Sequence, residues 1–394
     1  MPTIELTPKG MKRFRSGHPW VFRSDIAHTE PSAKPGQVVE ILSPQGAFCG
    51  QGFYNPHSQI TVRLLSYDQE PVDEAFFAAR LQAAWKHRLA FADPDSCRVV
   101  HAEADFIPGL ILDKFGDYLV MQCLCLGLEA FKPALARIAM EITGAKGVYE
   151  RDDLATRGLE GLKQQRGVLA GTVPDVVVMR ENGILLQVDI AQGQKTGYFL
   201  DQKENRAAIA PYVKDARVLD CFCHVGAFSL HAAHYGARET IGVDISQDTC
   251  GWARRNAELN GFSGICSFIC DNAFDRLRAM AHSHERFDTV ILDPPAFTKS
   301  RSTVAAATRG YKDINLWGMR LTKPGGFLIT CSCSQHMLPE LFQETVQAAA
   351  RDAGCLLRQM EFRGQGKDHP VLASMPESHY LKCGIYQVFH KNQR

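Results

Sequence analysis

Residues 217–244, RVLDCFCHVGAFSLHAAHYGARETIGVD, hold the pattern that decides the fold. The apolar run at Arg217–Cys221 predicts a buried strand, Gly226–Tyr235 predicts a helix, and Thr240–Asp244 predicts a second strand. A strand, a helix and a strand in this order form a right-handed crossover unit with parallel strands. The stretch therefore predicts an α/β fold built on a doubly wound sheet.

The alternation of strands and helices continues from about Asp175 toward the C-terminus. The last two apolar segments predict an antiparallel pair of strands at one edge of the sheet. We therefore assign residues 173–394 to a Rossmann-like, doubly wound α/β domain. Its further elements are expected as helices at Gln247–Leu259, Asn272–His282, Asp313–Leu321 and Pro339–Ala353, and as strands at Cys266–Cys270, Thr289–Leu292, Gly326–Ser332, Leu356–Phe362 and Leu381–Phe389.

The N-terminal part of the chain follows a different pattern. Short apolar runs broken by Gly and Pro, with alternation at Gln37–Leu42 and Gln59–Leu65, predict a small β-barrel over residues 1–72. A helical segment that begins at Asp73 and strand-like segments such as Tyr118–Cys123 predict an α+β domain over residues 73–172. Three domains are therefore expected.

The overall composition narrows the class of protein. The 394 residues carry a formal net charge of +1, so any field that attracts nucleic acid must be local. No run of about 18 apolar residues marks a membrane helix, and the N-terminus lacks the apolar core of a secretory signal. We therefore expect a cytoplasmic protein whose 13 cysteines are reduced thiols. Their spacing fits neither a zinc site nor an iron–sulfur site, so no metal is expected.

Acidic residues follow three successive strands of the predicted sheet. Asp220 and Asp244 end the first two strands, and Asp271-Asn272-Ala273 follows the third. Ligands of doubly wound sheets bind beyond the carboxyl ends of the strands, where Gly226 would let the backbone approach a ligand. Acidic strand ends suit a cationic sulfonium better than a pyrophosphate, and no G-x-G-x-x-G occurs, so S-adenosylmethionine (SAM) is favoured over NAD. Each Asp alone is equally well explained as a helix cap or a solvated strand end.

The next two strand ends carry groups suited to nucleobase chemistry. DPPAF at residues 293–297 follows the fourth strand, and Cys333 ends the fifth. Cytosine carbon-5 is a poor nucleophile, but addition of a thiolate to carbon-6 makes an enamine that takes a methyl group. The pattern indicates Cys333 as nucleophile and Asp293 as the group at ring nitrogen 3. A buried, inert thiol is the alternative for Cys333.

The sequence does not identify the residues for two roles in this chemistry. The residues show no partner that would activate the thiolate of Cys333. The base that removes the carbon-5 proton is also open, although Cys331 is close enough in sequence to be considered.

Several segments make the chain similar to a known family. The segments are QKTGYFLDQKENR (Gln194–Arg206), the DPPAF loop, RGYKDIN (Arg309–Asn315), SCS (Ser332–Ser334) and DHPV (Asp368–Val371). They resemble bacterial 23S rRNA cytosine-C(5)-methyltransferases of the large-subunit methyltransferase I type, and the resemblance covers essentially the whole chain. HPWVFRSDI, near the N-terminus, resembles the start of the PUA RNA-binding domain of that family.

The resemblance implies a PUA domain, an inserted α+β domain and a SAM-dependent methyltransferase domain that acts on 23S rRNA. It also implies that Cys333 is the nucleophile and that Lys195, Tyr198 and Gln202 help to form the cofactor pocket. The cofactor-binding residues expected from the strand ends and from the resemblance are Lys195, Tyr198, Gln202, Asp220, Phe222, Gly226, Asp244, Asp271, Asn272, Ala273, Asp293 and Pro294.

The chain departs from the family pattern at two places. Ala296 and Phe297 stand where other RNA cytosine-C(5) enzymes carry a second cysteine, so product release must use another group. Cys223 and His224 replace the small or polar residues usual in the first loop, which affects the fine structure of the cofactor site.

Basic and aromatic residues alternate near the N-terminus. No acidic residue occurs between Thr7 and Ser24, and this mixture suits phosphate contacts and base stacking. We expect Trp20 and Phe22 in the barrel core and the cations on phosphates. The polar loop 297–307 is expected to order on RNA binding. The residues expected to contact RNA are Lys9, Lys12, Arg13, Arg15, Arg23, Arg309 and Lys312.

Other functions stay open from the sequence. The same fold and cofactor would serve methylation of a guanine ring nitrogen or an exocyclic amine, for which Cys333 would be dispensable. A non-catalytic RNA-binding or ribosome-assembly factor would keep the fold but fail to bind SAM, and a dehydrogenase is the most distant reading. The target nucleotide, the assembly state of the substrate and the oligomeric state, with a homodimer among the options, are left open.

Overall fold

The computed structural model describes residues 1–391. The chain divides into two compact units. The first consists of Met1–Met179, Val188–Leu200 and Lys367–Ser378, and the second of Arg180–Gln187, Asp201–Gly366 and His379–Arg394. A two-stranded sheet of β12 (Val176–Glu181) and β13 (Ile184–Asp189) lies where the chain passes from one unit to the other.

A six-stranded sheet in the order β2-β6-β5-β4-β1-β3 begins the first unit. Its strands are β1 (Thr3–Leu6), β2 (Trp20–Phe22), β3 (Ile26–Thr29), β4 (Val38–Leu42), β5 (Phe48–Tyr54) and β6 (Ile60–Ser66). The sequence did not predict helix α1 (Pro8–Arg15), because Gly10 and Phe14 are its only buried residues and make no apolar stripe. Thr7 caps this helix by accepting a hydrogen bond of 2.9 Å from the Gly10 N–H.

A five-stranded sheet in the order β11-β10-β9-β8-β7 follows in the same unit. Its elements are α2 (Glu74–Phe91), β7 (Ser96–His101), β8 (Leu110–Phe115), β9 (Tyr118–Cys123), α3 (Lys132–Thr143), β10 (Gly147–Asp152) and β11 (Gln165–Gly171). Strands β7 to β9 are antiparallel, whereas β9 and β10 are parallel, so this part of the chain has the mixed α+β character predicted.

The second unit contains a seven-stranded sheet in the order β16-β15-β14-β17-β18-β20-β19. Its strands are β14 (Arg217–Cys221), β15 (Glu239–Asp244), β16 (Cys266–Cys270), β17 (Phe287–Leu292), β18 (Thr322–Ser332), β19 (Cys355–Arg363) and β20 (Lys382–His390). Its helices are α4 (Lys203–Ala208), α5 (Ala210–Val213), α6 (Ala227–His234), α7 (Gln247–Leu259), α8 (Ala273–His282), α9 (Val304–Leu321) and α10 (Pro339–Ala353). The first five strands are parallel, which confirms the doubly wound α/β sheet.

The edge of this sheet is antiparallel, as predicted, but the last strand does not lie outermost. Strand β20 pairs with both β18 and β19, so the chain returns to fill the position between them. The prediction of a loop at residues 297–307 is wrong for its last four residues, because α9 already begins at Val304. The run Val304–Thr308 contains three alanines, and alanine has the highest helix propensity.

Helices α9 and α10 pack against one face of the seven-stranded sheet. Phe342 of α10 is fully buried, and its ring meets the ring of Tyr311 of α9 edge-on, with centroids 5.7 Å apart. Leu292 and Leu328 on the neighbouring strands belong to the same apolar cluster. Among residues 1–391, no helix has both the length and the apolar character needed to cross a membrane.

Phe342→Ala should therefore lower the free energy of unfolding by about 3–5 kcal/mol, because it leaves a cavity under α9. Urea unfolding followed by circular dichroism measures this change. Leu356→Ala is the control, since this side chain is 54% exposed and its loss should change stability by about 0.5 kcal/mol or less. Equal effects of the two changes would contradict the packing described.

Candidate active site

The carboxyl ends of the parallel strands lie side by side at one end of the seven-stranded sheet. Asp220 lies opposite Gly242, Cys221 lies opposite Leu292, and Asp244 lies opposite Cys270 in the strand register. The Asp271 N–H donates a hydrogen bond of 2.9 Å to the Asp244 carbonyl. The structure thus gathers at one edge the acidic residues that the sequence placed at successive strand ends.

Asp220 is fully buried at the end of β14. Its Oδ2 accepts hydrogen bonds from the Ser229 N–H at 3.0 Å and from the Ser229 hydroxyl at 2.8 Å. Its buried Oδ1 accepts no hydrogen bond from any residue between 1 and 391. Burial, with the nearby charges of Asp293 and Asp244, raises the pKa of Asp220 to about 7. A carboxylate held this way favours a cation or a hydrogen-bond donor at Oδ1.

Asp244 is half-buried and is oriented by hydrogen bonds from its own loop and from the loop that follows β14. Its Oδ2 accepts from the His224 N–H at 2.9 Å, and its Oδ1 accepts from the Ser246 N–H at 3.0 Å and the Thr249 hydroxyl at 3.1 Å. Oδ2 keeps a free acceptor position, because each carboxylate oxygen offers about two and Oδ2 accepts a single bond here, whereas Oδ1 accepts two. The next side chain, Ile245, is 72% exposed and places an apolar surface beside the carboxylate.

The loop between β14 and α6 has a strained backbone. Phe222 and His224 have φ angles of 65° and 50°, in the left-handed region that non-glycine residues rarely adopt. Gly226 has a φ of 81°, and a Cβ there would lie 2.9 Å from Phe268 Cε1. Cys223 fits this loop as a buried thiol whose pKa is raised well above its ordinary value by burial. Strain of this kind concentrates at ligand sites.

The segment after β16 is partly occupied by capping. The Asn272 side chain accepts a hydrogen bond of 2.9 Å from the Phe274 N–H at the start of α8, and Asp271 Oδ1 accepts one of 2.7 Å from the Asn272 N–H. Ala273 is buried. Asn272 therefore has a structural role at this edge, and any ligand contact must use its remaining atoms or the exposed part of Asp271.

Asp293 is held from a different direction. The Gln202 side-chain N–H donates a hydrogen bond of 2.8 Å to Asp293 Oδ1, and Asn205 donates one of 2.7 Å to Gln202 Oε1. The Arg363 guanidinium in turn donates to Asn205 Oδ1 at 3.1 Å. This chain of amides orients the Asp293 carboxyl and places Gln202 beside it, whereas the role of Gln202 in the cofactor pocket stays a prediction.

The two cysteines near the end of β18 have different surroundings. Cys333 is half-buried, and its thiol lies 3.9 Å from the Pro294 carbonyl oxygen. Cys331 is fully buried and lies opposite Cys383 on β20; a hydrogen bond with Cys383, then burial, raises its pKa well above the ordinary value. Cys331 is therefore unsuited to take the carbon-5 proton, and Cys333 is the accessible thiol of the pair.

Ser332 and Ser334 lie on the opposite side from the cysteines, as predicted. The Tyr311 hydroxyl is 3.0 Å from the Ser332 hydroxyl and 2.9 Å from the Ser334 hydroxyl. Burial raises the pKa of Tyr311. These bonds fix the turn that carries Cys333 against α9.

Sequence reasoning predicted Phe222 for the cofactor site but missed the aromatic cluster that it forms with Phe274, Phe297 and Tyr311. Rings of Phe222, Phe274 and Phe297 lie 5.8–6.4 Å apart, and Phe297 lies 4.6 Å from Tyr311. Gly310 makes room for this, because a Cβ there would lie 3.2 Å from the Phe297 ring. The signal was present in part, since Phe274 directly follows Ala273 and Phe297 ends the DPPAF motif.

Lys195 and Tyr198 belong to the first unit. Tyr198 is buried, and Lys195 has a φ of 53° and its Nζ 4.6 Å above the ring of Phe199. Their place in the cofactor pocket stays a prediction.

The basic residues expected to contact RNA have different environments. Lys9, Lys12 and Arg15 are exposed on α1. Arg13 instead pairs with the buried Asp25 at 2.5 Å, so its charge is already compensated. Arg23 donates a hydrogen bond of 2.6 Å to the Pro56 carbonyl but stays largely exposed.

Trp20 and Lys312 also form polar contacts within the protein. Trp20 is half-buried rather than in the core, since its N–H donates to Glu103 at 2.8 Å; Phe22 is half-buried too. In the second unit, Arg309 is exposed and Lys312 pairs with Asp352 at 2.6 Å.

Comparison with known proteins identifies both parts of the chain. Residues 4–67 match the model of a PUA-like domain, and residues 165–370 match that of a SAM-dependent methyltransferase. A "Ribosomal RNA large subunit methyltransferase I" from Cronobacter sakazakii is 42% identical over 93% of this chain and 94% of its own length. One from Vibrio cholerae is 41% identical over 97% of this chain and 98% of its own.

The chain belongs to the ribosomal RNA large subunit methyltransferase I family. It is a SAM-dependent rRNA methyltransferase with a PUA-like domain, which confirms the resemblance found in the sequence. The fold agrees with two solved structures, each 20% identical over 98% of this chain and 100% of the other. One, from Streptococcus mutans and assigned as a SAM-dependent methyltransferase, has a TM-score of 0.82; the other, a methyltransferase complexed with SAH, has 0.84.

The strand-end residues fit this cofactor. Asp220 offers a buried oxygen without a donor, and the nearby carboxylates of Asp244 and Asp293 suit a sulfonium cation. Over the part of the chain that the structure describes, no cluster of three His, Cys, Asp or Glu side chains could hold a metal ion.

Asp220→Asn should weaken SAM binding at least about tenfold, because the amide nitrogen replaces the oxygen that awaits a donor. Isothermal titration calorimetry measures this, with Asp248→Asn, on an exposed position of α7, as the unchanged control.

The same variant should alter the pH dependence of stability. The pKa of Asp220 rises from 3.8 to about 7 on folding, so the native protein loses stability as the pH rises between these values. Asn does not titrate, so the slope should flatten. Unchanged affinity together with an unchanged slope would refute the assigned environment of Asp220.

Proposed function

We propose that the protein transfers a methyl group from SAM to carbon-5 of a cytosine in 23S rRNA, through a covalent bond between Cys333 and the base. The observation that carries the proposal is the contrast between the cysteines of β18. Cys333 is accessible beside the Asp293–Pro294 loop, whereas Cys331 is enclosed against Cys383.

The expected steps use groups that lie at the same sheet edge. The Cys333 thiolate adds to carbon-6 of the cytosine, and Asp293, oriented by Gln202, holds the proton at ring nitrogen 3. The cofactor supplies the methyl group as a sulfonium. A base then removes the carbon-5 proton, and the bond from Cys333 to carbon-6 breaks to return the thiolate.

The cofactor would lie along the strand ends. We assign the ribose diol to Asp244, whose Oδ2 keeps a free acceptor position, and the adenine to the exposed apolar face of Ile245 and the ring of Phe274. Asp271 would accept from the adenine edge. The remaining proposed contacts are Phe222, Gly226, Asn272, Ala273, Pro294, Gln202, Lys195 and Tyr198, with Asp220 and Asp293 on the charged part.

Cys333→Ala should abolish the formation of 5-methylcytidine in unmodified 23S rRNA, because no thiolate can then add to carbon-6. Labelled SAM and mass separation of the nucleosides measure the product. Cys270→Ala is the matched control, since Cys270 is an exposed thiol at the end of β16 and should leave activity unchanged.

Two other outcomes would overturn this proposal. Full activity of Cys333→Ala with a methylated guanine or exocyclic amine would establish the base-amine alternative. Failure of the native protein to bind SAM, together with the absence of any methylated nucleoside, would favour a role in ribosome assembly without catalysis.

The PUA-like domain offers a surface for RNA phosphates. Lys9, Lys12 and Arg15 project from α1, whereas Arg13 is neutralised by Asp25. We propose that the three exposed cations, with Arg23, bind the RNA backbone, and that Arg309 and Lys312 contact the target strand.

The double variant Lys12→Ala/Arg15→Ala should weaken RNA binding and reduce the slope of log K against log salt concentration by about 1.4. Fluorescence anisotropy with an rRNA fragment over a salt series measures the slope. Arg137→Ala/Lys146→Ala removes two exposed cations that pair with acids elsewhere in the first unit. If both pairs change the slope equally, α1 is not a specific RNA surface.

Three further predictions concern the location of the protein, its domain bounds and its oligomeric state. A cytoplasmic location and domains at 1–72, 73–172 and 173–394 stay predictions, as does a homodimer. The compact units group Val188–Leu200 and Lys367–Ser378 with the N-terminal part of the chain.

A further inference from the structure

A lysine is buried next to the turn that carries Cys333. Lys382 begins β20 opposite Ser332 and is 1% exposed. Its Nζ donates hydrogen bonds to the Ser334 carbonyl at 2.7 Å and to the Tyr380 carbonyl at 2.9 Å. Among residues 1–391, no carboxylate forms an ion pair with it. Buried lysines are almost always paired with an acid, so this one needs another explanation.

Cys333 is the group whose charge acts on Lys382 when its thiol ionises. Burial lowers the pKa of Lys382 to about 8, and a negative charge on Cys333 opposes this shift. With a pKa of about 8, the amine gains and loses its proton in mildly alkaline solution, and a negative charge on Cys333 favours its protonated form.

The hydrogen bonds of Lys382 suit both of its protonation states. A neutral amine has two N–H donors and one lone pair, and the two carbonyls accept from both donors. The ammonium has a third N–H, which becomes available for a thiolate. The two carbonyls thus hold Nζ in place while its third position changes from acceptor to donor.

None of the other ionisable groups near Cys333 can stabilise its thiolate. The negative charge of Asp293 opposes a thiolate in this site, as it does at Cys331. Burial and the charge of Cys333 raise the pKa of Tyr311, which stays a neutral phenol. A hydrogen bond with Cys383 raises the pKa of Cys331, so this thiol also stays protonated.

We propose that Lys382 activates Cys333 by taking its thiol proton and then standing as an ammonium beside the thiolate. The S–H bond breaks, an N–H bond forms on Nζ, and the electron pair stays on sulfur, so the pair remains neutral overall. The inference rests on the proposed nucleophilic role of Cys333. It supplies the activating partner that the sequence left unnamed.

The test measures the thiol directly, without RNA or cofactor. Iodoacetamide labels the full-length protein from pH 6 to 10, and mass spectrometry follows the peptide that contains Cys333. Lys382→Met should slow labelling of Cys333 at pH 7 at least about tenfold and raise its pH midpoint by at least about one unit. Lys323→Met, which removes a half-exposed lysine paired with Asp288 in the same sheet, should leave the profile native.

Lys382→Arg is the second variant, because it keeps the charge if the buried methionine prevents folding. Arginine stays protonated, so the Cys333 midpoint should equal or lie below that of the native protein. A native midpoint in folded Lys382→Met, or a raised midpoint in Lys382→Arg, would overturn the inference.

Activity then separates this inference from the proposed function. Methylation by Lys382→Met should be lost at pH 7 and partly regained at pH 9, where the thiol ionises unaided; a merely structural role would not give this recovery. If Cys333→Ala stays active, the nucleophilic function fails, yet the labelling midpoints still report whether Lys382 controls the thiol.

Discussion

The parallel register of β16, β15, β14, β17 and β18 is the constraint on which the site depends. Because these strands are hydrogen-bonded side by side in one direction, their carboxyl ends meet at one edge. Each end adds a short segment whose side chains are fixed by hydrogen bonds, from within the same segment as for Ser229 to Asp220, or from a distant part of the sequence as for Gln202 to Asp293. Residues more than a hundred positions apart thus reach one site without any long loop having to be ordered.

The site combines unlike charges in separate places. Asp220, Asp244 and Asp293 make the strand ends acidic, and their mutual repulsion contributes to the raised pKa of Asp220. A methyl donor that carries a sulfonium relieves this repulsion when it binds. Lys382 is instead buried where its amine holds the Ser334 carbonyl of the turn that carries Cys333, and in the proposed mechanism it favours an anion on sulfur. The mechanism that we propose thus combines a cationic cofactor with an anionic nucleophile.

Sequence reasoning recovered the sheet and most of the strand-end groups because periodicity and strand ends are local signals. It missed α1, whose buried surface consists of two residues, and the start of α9, which alanine propensity alone indicates. It could not identify Lys382. The position of that lysine depends on β20 pairing between β18 and β19, a long-range arrangement that spacing along the chain does not encode. The Arg13–Asp25 pair was hidden for the same reason.

The placement of β20 has a consequence for how the protein is made. Synthesis proceeds from the N-terminus, so β18 and β19 both leave the ribosome before the strand that joins them. Until β20 arrives, β18 presents an unpaired edge, and the turn that carries Cys333 lacks the amine that anchors Ser334. The nascent chain therefore completes the surroundings of the Cys333 turn last. A chain truncated before Lys382 would keep the strands that carry Asp220 and Asp244 but would lack the amine that we propose to activate Cys333.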